Sequence, residues 1–109
     1  MTVTQLKDAL GWKVFHMADP DRPVTGGYAG DLLSWVMGRA GQDCAWLTIM
    51  SNQNVAAVAL MADVACVVLT EGVEPDADLL RRAEEKEVNL LGTGADTYTA
   101  ACRLGDCLK

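Results

Sequence analysis

The residues best suited to chemistry crowd into one stretch, "DRPVTGGYAG" (Asp21–Gly30), which runs straight into the apolar segment "DLLSWVMG". Asp21, Arg22, Thr25, Gly26, Gly27 and Gly30 combine one guanidinium with three glycines ahead of a helix-like pattern. Glycines there can expose backbone amides to an anion, and arginine can clamp a phosphate or carboxylate with two parallel hydrogen bonds. Ser51 and Asn54, in the polar run "SNQN", extend the set. These eight residues are the candidate binding site for a small anionic ligand, a nucleotide among them. The structural alternative is that Arg22 pairs with Asp19, Asp21 or Asp31 while Gly26–Gly27 permit a positive-φ turn.

Sharper chemistries lack their residues. A phosphate-binding P-loop needs a Gly-Lys pair, and the chain has none. "GGYAG" is not G-x-G-x-x-G, and "GTGAD" at Gly92 lacks the third glycine. Nucleophilic catalysis wants a nucleophile, a base and an orienting group, yet His16 is the sole imidazole and no G-x-S-x-G elbow exists. Asp19 and Asp21 sit too close together to act as an acid/base pair with divided pKa values. Cys44, Cys66, Cys102 and Cys107 form no C-x-x-C, so they read as reduced structural thiols rather than as a zinc site. No catalytic residue, metal or cofactor is assigned.

Charge narrows the partners. Fifteen Asp plus Glu against nine Lys plus Arg give a net charge of -6, and the cations are scattered. That arrangement does not suit nucleic acid, whose binding needs clustered cations, nor an anionic membrane surface. The apolar stretch Val55–Leu69 carries Asp63 and falls short of the roughly 20 residues a membrane span requires. The expectation is one cytoplasmic domain over residues 1–109, half of whose residues are hydrophobic.

The elements that must position these residues follow from patterning. Thr2 and Gln5 fit a capping box, with Leu6, Ala9 and Leu10 on one face and Gly11 as terminator. "WKVFHM" (Trp12–Met17) reads as a strand, and the prolines of "ADPDRP" break regular structure. "VTGGY" is a short strand or an extended turn. Gly30–Gly38 reads as a helix with Asp31 in its first turn. Cys44–Met50 is a strand, followed by a helix capped by Ser51 or Asn52. Val64–Leu69 is a strand covered on both faces. "DADLLRRAEEKE" is an amphipathic helix with Asp78–Arg82 and Arg81–Glu85 at i,i+4. Val88–Leu91 is the next strand, and a helix capped near Asp96 or Thr97 closes the chain. Alternating strands and helices predict a three-layer α/β/α sandwich on a mostly parallel sheet. Ligands of such sheets lie beyond the carboxyl ends of the strands, so His16, Asp19–Gly30, Ser51–Asn54, Thr70–Glu71 and Thr93–Gly94 are expected to share one rim. The three tryptophans, Trp12, Trp35 and Trp46, read as core or as a dimer contact.

At "DRPVTGGYAGDLLSWVM" the chain resembles the DRTGG domain family, through Asp21, Arg22, Thr25, Gly26 and Gly27 with Pro23 and Val24 intervening. The likeness continues through "AWLTIMSNQNVAAVAL", "ACVVLTEGVEPDADLLRRAEE" and "VNLLGTGADTYTAACRL". The resemblance implies a fold like the amino-terminal domain of the HPr kinase/phosphorylase, without that enzyme's catalytic P-loop. It also implies an accessory module of metabolic enzymes, and a homodimer. The function expected is a non-enzymatic regulatory or sensor domain. The alternative is an interaction or dimerisation module for a partner enzyme or signalling protein, and a phosphotransferase related to HPr kinase is a third reading.

Overall fold

The two most apolar strand-length runs of the chain become the middle of its sheet. In the computed structural model, which describes residues 1–109, every residue of β3 (Cys44–Thr48) and β4 (Cys66–Leu69) is buried. Five strands pair in the order β1-β5-β4-β3-β2, where β1 is Lys13–His16, β2 is Gly26–Ala29 and β5 is Leu90–Gly92. The pairs β2/β3, β3/β4 and β4/β5 are parallel, and β1 runs antiparallel to β5. Helices α2 (Leu33–Arg39), α3 (Asn54–Ala62) and α4 (Ala77–Glu85) fill the connections from β2 to β5, while α1 (Val3–Leu10) precedes β1 and α5 (Thr97–Cys107) follows β5.

Strand side chains alternate between faces, and the core divides accordingly. On one face Ala45, Leu47, Cys66, Val68 and Leu91 pack with Val3 and Leu6 of α1 and Ala100 and Leu104 of α5. On the other, Cys44, Trp46, Val67, Leu69 and Leu90 pack with Val36 of α2, Val55 and Ala59 of α3, and Leu79 and Ala83 of α4. The result is a three-layer α/β/α sandwich. Full burial of each large aliphatic side chain contributes about 1.5–3 kcal/mol, so these two layers dominate the favourable side of folding.

Most local signals act as the sequence suggests. The capping box of α1 closes in both directions, Thr2 and Gln5 each accepting from the other's backbone amide, and Gly11 ends the helix in the left-handed region at φ 69°. Asp96 caps α5 by accepting from the Thr99 amide. Elsewhere tertiary contacts intervene. α2 begins at Leu33 rather than Gly30, because the Asp31 carboxylate accepts from the Thr48 hydroxyl at 2.8 Å and the Ile49 amide at 3.0 Å instead of serving the helix. The residue capping α3 is Gln53, with no side-chain bond, while Asn52 Oδ1 accepts from the Asn54 amide. On α4, Arg81 pairs with Asp78 at 2.8 Å and approaches Glu85 at 3.9 Å. Asp78 is thereby withdrawn from Arg82, its expected partner.

Candidate functional site

Strand direction decides which polar residues can meet. Three parallel strands end where β2 ends, but β1 is antiparallel and brings its own carboxyl end to the opposite side of the sheet. His16 therefore pairs in register with Leu90, at the start of β5. The amides of Ala18 and Asp19 donate to Asn89 Oδ1 at 2.9 and 2.8 Å. The single rim expected from the sequence is corrected here. His16, Asp19, Asp21, Arg22 and Thr25 gather at the amino-terminal end of the parallel strands, with Gly26 and Gly27 entering β2. Gly30, Ser51, Asn54, Thr70, Glu71, Thr93 and Gly94 gather at the carboxyl end. Strand β2 separates the groups, the five steps from Thr25 to Gly30 spanning roughly 16 Å at a rise near 3.3 Å per residue.

At the amino-terminal end Arg22 is engaged through Nε and Nη2, and not with the aspartates nearest in sequence. Its Nε donates to Asp43 Oδ1 at 2.9 Å, and its Nη2 donates to the Asp63 carbonyl at 2.8 Å and to Asp63 Oδ1 at 2.9 Å. Asp43 and Asp63 lie in the loops leading into β3 and β4, with left-handed φ of 64° and 57°. Aspartate tolerates that conformation better than most residues, so each serves as a sharp hinge and as half of the arginine's cradle. Burial acts to lower the Arg22 pKa, but the hydrogen bonds and charges of Asp43 and Asp63 outweigh it and raise the value above the ordinary one. Reciprocally, hydrogen bonds from Arg22 and Gln42 hold the Asp63 carboxyl below the usual carboxylate range. The Arg22 side chain retains 25% exposure. Beside it opens a cleft of about 220 Å³, lined by Asp19, Asp63, Glu87 and Asn89 among others. Three carboxylates against one neutralised guanidinium make this cleft unfavourable for an anion.

Asn89, only 4% exposed, closes the same end. Its carboxamide accepts from two amides and donates to the carbonyls of Asp19 and Ala65 at 2.8 and 3.0 Å. All four of its hydrogen-bonding positions are used, and the Ala18–Asp19 segment is fixed to the start of β5. The sequence reading assigned no role to this residue, and only its polarity amid "VNLL" marks it.

At the carboxyl end the loops are tied to one another. The Trp46 indole donates to the Gly30 carbonyl at 2.9 Å, and the Gly30 amide donates to the Leu47 carbonyl. The Asp76 amide donates to the Ser51 carbonyl at 3.0 Å. The Thr70 and Thr97 hydroxyls lie 2.7 Å apart, and the Thr97 amide donates to Glu71 Oε2 at 2.8 Å. Glu71 and Gly72 turn through the left-handed region at φ 61° and 72°, placing their amides on the carbonyls of Ala95 and Thr93. Gly30 carries no side chain because an added Cβ would sit 2.9 Å from the Tyr28 ring. Gly27 needs its bareness for a different reason. Its Cβ would lie 2.7 Å from a Leu104 methyl, so it admits α5 to the sheet rather than cradling a ligand.

Of the tryptophans, Trp12 and Trp46 are core. Trp35 is 51% exposed on α2, with the Arg39 guanidinium 3.7 Å above its ring. Cys44 and Cys66 are buried, Cys102 is exposed and Cys107 is half-buried, all as free thiols. No helix is long and apolar enough to cross a membrane.

Comparison with known proteins adds two findings. The family model described as DRTGG domain matches residues 35–107, from within α2 to the end of α5, so the stretch Asp21–Gly30 lies upstream of the matched segment. Among solved structures, the chain is similar to the CBS and DRTGG domains of the regulatory region of Clostridium perfringens pyrophosphatase, complexed with its activator diadenosine tetraphosphate. The TM-score is 0.74 at 12% identity, over 94% of this chain and 45% of that one. The chain thus spans less than half the length of that structure, and the likeness establishes a shared fold. The curated proteins give no match.

Proposed function

This chain belongs to the DRTGG domain family, and on that premise we propose that it is a non-catalytic regulatory domain of the cytoplasm. In this reading it responds to a small anionic ligand, a nucleotide in the first instance, at the carboxyl-end rim. The observation that carries the reading is the unequal use of polar groups at the two sheet ends. The charge of Arg22 is matched by Asp43 and Asp63 through Nε and Nη2, whereas Ser51 and Asn54, at the same sheet end as Gly30, hold side chains with no hydrogen bond inside the chain. Gly30, Ser51 and Asn54 are the contacts proposed. Asp21, Arg22, Thr25, Gly26 and Gly27 then act as the frame that holds β2 in place. The similar pyrophosphatase region is bound to a dinucleotide activator, which supports beginning the search with nucleotides. Against catalysis stands the separation of His16 from Ser51 across the length of the sheet.

The test is a thermal-shift titration with ATP, AMP and diadenosine tetraphosphate on wild type and on a Ser51→Ala/Asn54→Ala variant. Ligand at a hundred times its Kd stabilises the folded state by about 2.7 kcal/mol, a shift easily read. The reading predicts that shift in wild type and its loss in the variant. No shift with any nucleotide, or an equal shift in both proteins, would sink it.

A second reading, a homodimeric interaction module, is favoured by α3. Past Asn54 that helix has no polar residue, and Leu60 and Met61 are 51% and 69% exposed. A helix apolar all round is ordinarily covered on all sides, and α2, which packs against α3, adds the exposed Trp35. Light scattering on wild type and Met61→Glu reads it directly. A monomer at all concentrations would exclude the pairing of two copies.

A further inference from the structure

A cleft of about 150 Å³ opens between α3 and α4, lined by Gln53, Asn54, Ala56, Ala57, Arg82 and Lys86. We propose that it binds a phosphate-type oxyanion, supplied as free pyrophosphate or as the phosphate chain of a nucleotide. The proposal deepens the ligand reading above and rests on it only for the nucleotide source.

The argument is one of charge. In a chain of net charge -6, most cations are already matched. Lys7, Lys13, Arg22, Arg81 and Lys109 each meet a carboxylate within 4.0 Å, and Arg39 lies over Trp35. Arg82, Lys86 and Arg103 meet none, Arg81 holding Asp78 at 2.8 Å, and of these three only Arg82 and Lys86 share a cleft. Arg82 in the last turn of α4 and Lys86 at its C-cap are spaced i,i+4 and line the same cleft, where like charges repel. An oxyanion between them removes that repulsion and accepts hydrogen bonds from both. The opposite wall supports the same ligand. α3 contributes no carboxylate, its Ala56 and Ala57 leave room, and the Gln53 and Asn54 carboxamides make no hydrogen bond within the chain. Each carboxamide offers N–H donors to a phosphate oxygen. Asn54 also borders the proposed rim, so a nucleotide held at Gly30 and Ser51 would extend its phosphates toward α4.

Calorimetric titration with sodium pyrophosphate, ATP and adenosine tests this on wild type and on the double variant Arg82→Gln/Lys86→Gln. Both side chains are exposed, and the variant's own melting in chloride buffer gives its baseline. The expectation is that pyrophosphate binds wild type, more weakly at high salt, and that the double variant loses at least tenfold in affinity while adenosine does not bind at this cleft. Failure of pyrophosphate to bind wild type, or equal affinity for the variant, overturns the proposal. ATP bound equally by both proteins overturns it while leaving the nucleotide reading intact. Pyrophosphate bound by wild type and lost in the variant, with no nucleotide bound, supports the cleft and counts against the nucleotide reading.

Discussion

Replacing Arg22 with methionine separates a structural clasp from an anion receptor. The substitution keeps the length of the aliphatic stem and removes the guanidinium. Two of the lost bonds can be weighed. The Nε bond to the sheltered Asp43 carboxylate is charge-assisted, and the Nη2 bond reaches the Asp63 carbonyl. At about 1.5 kcal/mol for the first and about 1 kcal/mol for the second, the expected loss is roughly 2–3 kcal/mol. The Asp63 carboxylate faces solvent and receives no share. For a domain of this size that loss lowers Tm by roughly 10–15 °C, measurable by circular dichroism, and urea unfolding should move its midpoint with an unchanged slope. The pH dependence has a definite sign. Arg22 depresses the Asp63 pKa in the folded state, so this part of the stabilisation is complete above the unfolded value of about 3.9. It is lost as pH falls through the folded value, and the gap between wild type and Arg22→Met should narrow there. A variant as stable as wild type at pH 7, but with its anion response abolished, would refute the clasp and return Arg22 to the ligand.

Three other perturbations probe the frame. Asn89→Ala deletes four hydrogen bonds, of which the one to the Ala65 carbonyl is buried, and should cost about 3 kcal/mol in chemical denaturation. A loss under about 1 kcal/mol would mean that water takes over these partners. Gly92→Ala would place a Cβ 2.5 Å from the Phe15 ring. It should destabilise by about 1–3 kcal/mol, and Phe15→Leu in the same chain should recover part of that loss. Burial pushes the Cys66 thiol up to about 12 and raises that of Cys44. In a thiol-labelling time course Cys102 should react first, and Cys44 and Cys66 only in urea; rapid labelling of Cys66 in native buffer would contradict the packing.

The legible parts of the fold are those decided within a few residues. The capping box at Thr2 and Gln5, the left-handed stop at Gly11, the Asp96 cap and the run "ACVVL" each carry their own physical reason. Asp31 was legible only as an acid near a helix start, because its true partners, Thr48 and Ile49, lie at and just past the end of β3. Likewise Arg22 has Asp19 and Asp21 as its near neighbours in sequence, yet binds Asp43 and Asp63. Long-range pairing of charges follows the arrangement of strands, which periodicity does not encode.

The sequence by itself determined the α/β/α class, the number of layers and the absence of the P-loop motif, since these depend on periodicity, composition and spacing. Only the tertiary structure decided the direction of β1. That direction carries His16 and Asp19 to the amino-terminal end of the sheet, and β2, running through the glycine-rich stretch, divides it between two ends. One is a clasp closed by carboxylates, and the other is a rim with unengaged Ser51 and Asn54. The physical reason is that ligand chemistry depends on which charges remain unpaired, and pairing is settled only when the chain has packed.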